Sequence, residues 1–254
     1  MWTPQQIGLA LIAAPAVMVA VLLAAERVWP ARRETGQTWL NIGNAVYSHG
    51  LRLVLQPVLM LFVVRLTGGL PSLGIDKWPL YLGAPLYVAA MDLGEYAYHR
   101  LQHTVPLLWR IHSMHHSDPN MNVSTTDRHW WGDIYIKAVL FWAPLAALMH
   151  PSDTIVLIYS VVTLYIYFVH ANLPVTFGRF SWVLNSPALH RRHHSSRPEH
   201  FNANYASMFP IFDVIFGSYR RPDAQPDAFP PTGLAAAPKS LADTVVWPIQ
   251  AASR

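Results

Sequence analysis

Three short clusters hold eight of the chain's 13 histidines. They are His99 with His103, then His112, His115 and His116, then His190, His193 and His194. Residues at i, i+3 and i+4 of a helix share one side, so each cluster is expected to present its imidazoles together. Three such faces turned toward one point supply enough ligands for two metal ions. Imidazole suits iron, zinc, copper and nickel alike, so the spacing specifies a metal site without specifying the metal. The chain has no cysteine, which excludes zinc–thiolate sites, iron–sulfur clusters and disulfides. A metal-buffering histidine tract would be local and compositional. These clusters are instead separated by long apolar segments, which favours a built site.

The segments between the clusters must do the positioning. Hydrophobic residues make up 52% of the chain and charged residues 13%, against about 25% charged in soluble domains. The composition predicts an all-α integral membrane protein. A bilayer takes about 20 apolar residues to cross, and the predicted spans are 7–25, 45–66, 78–98, 134–149 and 154–170. If one short segment is re-entrant, the count falls from five to four. No Lys or Arg precedes the first run, so it reads as a retained helix, not a signal peptide. Residues 104–132 are too polar to span and are expected at the membrane surface. Residues 178–221 form a soluble-type helical lobe, and 222–254, with its prolines, reads as a poorly ordered tail. The whole is one membrane domain, 1–254.

Positive charge orients membrane proteins toward the cytoplasm. Arg27, Arg32 and Arg33 place the first loop inside, and five spans then put all three clusters on the cytoplasmic face. Arg100, Arg110, Arg128, Arg179, Arg191, Arg192, Arg197, Arg220 and Arg221 fall on the same side. The net charge of +4 therefore reflects topology, and no nucleic-acid partner is expected. The membrane would be the inner membrane of a bacterium or the endoplasmic reticulum of a eukaryote.

Soluble di-iron bundles use Glu and Glu-x-x-His ligands. Here the ligands are almost pure histidine, which leaves a dimetal centre highly positive and suited to O2 chemistry. At the membrane surface such a centre meets lipid chains, and apolar helices exclude water from it. The order H-x-x-x-H, H-x-x-H-H, H-x-x-H-H among apolar spans resembles the fatty acid hydroxylase/sterol desaturase superfamily. The likeness covers about residues 87–219. It includes Phe168-Val169-His170-Ala171-Asn172, Asn185-Ser186-Pro187, Asn204-Tyr205 and the stretch Phe212 to Ser218. The resemblance implies two non-haem irons, O2, a membrane lipid substrate and an external electron donor, whether reductase, ferredoxin or cytochrome b5-like protein. No flavin or nicotinamide motif is present, which fits that donor. The family often has Arg, an aromatic, His and Pro after the second cluster; here the stretch is Asp127-Arg128-His129-Trp130. The third cluster is commonly followed by Asp where this chain has Asn202. The substrate class therefore stays open among sterol, fatty acyl, carotenoid and ether lipid. The His103-to-His112 spacing and the Asn-Ser-Pro lead-in are similar to those of ether-lipid monooxygenases.

Outside the clusters, His170 ends the fifth predicted span and is the candidate ninth ligand. His129 competes for that role but sits beside Arg128, so it is expected to support a ligand. Asn204 is expected to position the third cluster or a water. His49 and His150 read as structural and His200 as a loop residue. Asp213 and Gly217 read as a cap and a turn. Asp92 and Glu95, acids inside a predicted span, are either functional or partners of a nearby arginine. The rival to an enzyme is a non-catalytic membrane metal protein, a transporter or a degenerate homologue. A transporter would place its ligands near the bilayer midplane, whereas these collect at helix ends.

Overall fold

The structure is a computed structural model that describes residues 4–33, 36–222 and 228–250. Among the described residues the fold is all helical, and its one β-type pairing is an isolated bridge between Ser195 and Thr232. The long helices are α1 (Pro4–Val28), α2 (Thr38–Thr67) and α3 (Leu80–Thr104). Each carries one internal proline, Pro15, Pro57 and Pro85 respectively. α3 stops because Val105 precedes Pro106 and takes an extended conformation, as a residue before proline prefers. Pro106 then opens α4 (Pro106–His116) at its first position, where proline's missing N–H costs nothing.

Two composite stretches follow. α5 (Asp133–Lys137) runs through a π-helical turn, Ala138–Trp142, into α6 (Ala143–Met149). α7 (Asp153–Val162) leads into α8 (Tyr165–His170), and Ser152 caps α7 by accepting from the Ile155 N–H. α9 (Pro187–His193) is capped by Ser186, whose hydroxyl accepts from the Leu189 N–H, with Pro187 at its first position. A side-chain cap of this kind is worth about 1 kcal/mol. α10 (Ile211–Ile215) and α11 (Leu241–Gln250) complete the chain.

Apolar side chains cover much of the outside. Val46, Leu53, Val54, Val58, Leu61 and Val64 of α2 are all exposed, Leu53 by 70%. Two helical stretches among the described residues are long and apolar enough to cross a membrane, Thr38–Thr67 and Asp153–His170. The other three expected spans lie on α1, α3 and the 133–149 stretch. Gly94 lets α3 and α6 approach closely, since a Cβ there would meet Leu145 Cδ1 at 2.6 Å. One apolar core joins α3, α6 and α7 through Tyr87, Met91, Met149 and Ile155. Another joins α1 to α8 through Leu22 and Tyr167.

The polar interior lies at the other end of α3. Arg128 and Arg191 are the two largest fully buried side chains among the described residues. Arg128 donates to Met114 O, Ser117 Oγ, Asn41 Oδ1 and Gln37 Oε1, which ties the end of α4 to the start of α2. Arg191 donates to Pro230 O, Met121 O, Asn172 Oδ1 and Asn120 Oδ1. The tail, expected to be poorly ordered, packs against the rest of the fold over 228–250. Phe229 is buried against Ala188, and Thr232 Oγ1 accepts from the Met121 N–H. Trp247 of α11 is buried on Met114 and donates to Ser113 Oγ. Residues 228–232 thus form a strap against α9 and Met121, and α11 packs on α4.

Candidate metal centre

α3, α4, α8 and α9 bring nine histidines into two adjoining groups. His99, His103, His112, His116 and His193 form one; His115, His170, His190 and His194 form the other. Within each group the candidate ligand nitrogens all lie within 4.8 Å of one another. The clusters do not each serve one group. His112 and His116, four apart, face one group while His115 faces the other. His190 and His194 likewise share a group while His193 crosses over. Successive helical residues are rotated by about 100°, so the i+3 and i+4 side chains diverge enough to straddle two sites.

The ring hydrogen bonds select the candidate ligand atoms. His99 Nδ1 lies 2.7 Å from Tyr205 O, and His193 Nδ1 lies 2.8 Å from Ala203 O. A carbonyl only accepts, so both Nδ1 atoms must carry the proton. Both Nε2 atoms are then bare lone pairs, and they face each other at 3.0 Å. Two bare lone pairs at that distance repel, and a cation between them removes the repulsion. His170 repeats the arrangement: its Nδ1 donates to Ile166 O at 2.8 Å. Its Nε2 lies 3.1 Å from His115 Nε2 and 3.0 Å from His190 Nε2. Metal-bound histidines commonly donate their other ring N–H to a carbonyl in this way. Burial, reinforced by neighbouring imidazoles, pushes His112, His115, His116, His190 and His194 well below the ordinary histidine value. Neutral imidazole is the form that binds metal. The donor set therefore fits a pair of non-haem metal ions.

The supporting residues are mostly outside the histidine motifs. Asn204, at φ +60°, stands between the two carbonyls that hold His99 and His193. Its side chain clamps Arg220 N and Arg220 O, so it shapes the loop that orients two histidines and touches neither group. Asp213 accepts from the Tyr205 and Ala206 N–H groups and from Ser218 Oγ. It braces that same loop instead of capping α10. Asp92 neither pairs with an arginine nor enters the site. Its carboxylate accepts from the Met208 and Phe209 N–H groups, pinning the loop to α3. Glu95 pairs with Lys137 and accepts from Trp142.

His129 lies beside the centre. Its ring stacks on His115 with centroids 4.2 Å apart, and its Nδ1 lies 3.2 Å from Asp133 Oδ2. Burial acts to raise the Asp133 pKa, but His129, Lys137 and the Tyr98 hydroxyl hold it below the usual carboxylate value. His129, His112 and Asp133 could themselves gather a cation. His200 is buried against Ser195 Oγ and lies outside all these groups. His49 pairs with Asp127 and His150 with Asp76. A cavity of about 420 Å³ opens onto the five-histidine group, with His103, His116 and His193 on its floor. Trp109, Phe201 and Leu234 line its apolar wall.

Tyr205 and Arg128 lie in stretches compared with the family, but Ala203, whose carbonyl holds His193, carried no motif signal. Asn172 did, in the Phe168 to Asn172 stretch, and the structure explains it. It follows His170, accepts from Arg191 and Arg32, and its N–H donates to Glu26.

Comparison with known proteins agrees with this geometry. The family model described as fatty acid hydroxylase matches residues 84–218, just over half of the chain. An alkylglycerol monooxygenase from Xenopus tropicalis is 33% identical over 142 residues, covering 56% of this chain and 30% of that protein. The ornithine lipid hydroxylase OlsE of Rhizobium tropici is 27% identical over 215 residues, covering 80% of this chain and 65% of the relative. A very-long-chain aldehyde decarbonylase from Oryza sativa subsp. indica, GL1-5, is 22% identical over 72% of this chain and 34% of its own length. The matched region thus spans less than two thirds of each of these relatives, and no solved structure matches. The matched residues 84–218 contain all nine gathered histidines, and the chain belongs to the fatty acid hydroxylase family.

Proposed function

We propose that this chain is an O2-dependent di-iron oxygenase that hydroxylates a membrane lipid. The observation that carries the reading is the pair of bare Nε2 atoms on His99 and His193, 3.0 Å apart with both tautomers fixed by carbonyls. In this reading His99, His103, His112, His116 and His193 hold one iron; His115, His170, His190 and His194 hold the other. Iron bound and reduced there would supply O2 activation. The overall balance is a lipid C–H bond, O2, two electrons and two protons giving an alcohol and water. Desaturation draws on the same oxidant and differs in how the chain is held. The named activities of the relatives, alkylglycerol monooxygenase and ornithine lipid hydroxylase, favour hydroxylation of a polar lipid.

The protein's own part is positioning and exclusion. Trp109, Phe201 and Leu234 would hold an apolar chain over His103, His116 and His193. Carbonyls of Ala203, Tyr205 and Ile166 fix three rings. The electrons come from a separate donor, reductase, ferredoxin or cytochrome b5-like protein. The chain crosses the membrane four to five times, with the site on the cytoplasmic face. Lipid profiling of a host with and without the gene, under isotopically labelled O2, tests the function. A lipid species heavier by one labelled oxygen atom should appear only with the gene. An unchanged profile from metal-loaded protein supplied with a reductant would favour the non-catalytic reading.

A further inference from the structure

We infer that the turn at 178–183 and α10 with its following turn form a lip that inserts into the lipid leaflet beside the metal centre. This rests on reading the chain as membrane-embedded.

These segments lie outside every predicted span, yet they carry bare apolar side chains. Phe180 is 56% exposed, Ile215 64% and Phe216 49%, and Trp182, Val183 and Val214 are exposed beside them in sequence. The two segments are one surface feature, because Ser181 Oγ and Tyr219 OH lie 2.7 Å apart. The lip is continuous with α3. Phe216 stacks on Tyr96 at 5.4 Å, and Arg100 donates to both Tyr96 OH and Phe216 O. On α3, Leu93, Ala97 and Leu101 recur at i, i+4 and i+8 and stay partly or fully exposed. That apolar stripe runs out of the predicted span toward the lip. It ends where Thr104 and Pro106 border the cavity over the five-histidine group.

The charge pattern selects the occupant. Within 178–183 and 211–221 the one acid is Asp213, which is buried. Arg179, Arg220 and Arg221 are exposed, and Arg179 lies over the Phe180 ring at 4.8 Å. Large apolar side chains with a basic margin suit the boundary between anionic headgroups and acyl chains, where interfacial elements sit about 5–10 Å deep. A protein partner would be expected to meet a mixed rim with both signs of charge.

Because the chain has no cysteine, single labels report cleanly. Spin labels would be placed by Ile215→Cys, Phe180→Cys, Glu199→Cys and Val58→Cys in the full chain. The protein would be reconstituted in vesicles of phosphatidylcholine with phosphatidylglycerol. Collision with O2, which concentrates in the bilayer, is compared with collision with a water-soluble nickel chelate. The expected result is an O2-to-nickel ratio at Ile215 and Phe180 severalfold above that at Glu199 and approaching that at Val58 in α2. Nickel accessibility equal to Glu199 would overturn the lip. Shielding from both reagents would also overturn it, since that marks burial against protein. A nickel-accessible Val58 label would overturn the membrane reading itself, whereas a shielded Val58 beside an exposed Ile215 rejects only the insertion.

Discussion

His170→Ala is expected to release one of two metals and bring turnover below detection, whereas His129→Ala keeps both metals and loses activity by about 10–100-fold. Both histidines sit near His115, so distance to that ring alone does not separate them. Orientation does. His170 has its Nδ1 committed to Ile166 O, and its Nε2 lies 3.1 Å from His115 Nε2 and 3.0 Å from His190 Nε2, where the three could share an ion. Its ring is fully buried. His129 is stacked flat on His115 instead, with Nδ1 committed to Asp133 and 31% of its side chain exposed. A stacked ring can steady a ligand and keep water from it but does not aim a lone pair at that ligand's metal. Metal analysis and turnover on the two variants decide the matter. Loss of metal from His129→Ala with retention by His170→Ala would reverse the assignment.

Arg191→Ala is expected to be the most destabilising single change outside the histidines, by at least about 3 kcal/mol. The guanidinium is buried and bridges four acceptors from three parts of the chain: Pro230 O, Met121 O, and the side-chain oxygens of Asn120 and Asn172. Removing it leaves those oxygens dry, and each unsatisfied buried polar group costs about 1–3 kcal/mol. Lysine should not rescue, because a single ammonium lacks the planar fork that reaches both sides. Arg221→Ala, at an exposed position, is the control and should shift stability by no more than about 0.5 kcal/mol. Thermal melts of the metal-saturated variants in detergent give the answer. An Arg191→Ala protein that melts with the wild type would show that the strap at 228–232 is held by other contacts.

How much of this was legible in the sequence depends on which physical scale set each feature. The histidine spacing is local, so the helical period alone placed His99 with His103 and predicted rings that project inward from α4 and α9. His170 was legible because it ends an aromatic apolar run. The partition into five and four was not legible. It depends on how four helices cross, and it splits His115 from His112 and His116. The burial of Arg128 and Arg191 was not legible because a network of Asn, Ser and carbonyl partners leaves no periodic trace. Asp92 was legible as unusual for a span, yet its partners, two backbone N–H groups near Met208, lie 116 and 117 residues away. The packing of 228–250 was missed because proline and small residues suggest disorder by composition, while Phe229, Thr232 and Trp247 each find one specific socket. The positions of the apolar segments were recovered as helices because their length and hydrophobicity are local properties.

A two-metal centre built by nine neutral imidazoles sets the metal content of each folded chain. Wild-type protein purified from iron-supplemented cells should carry two metal ions per chain, iron or, under overexpression, zinc in its place. His193→Ala should lower that number while the protein still inserts and melts cooperatively. A wild-type chain that is folded but holds one ion or none, or a His193→Ala chain that keeps the full complement, would contradict it.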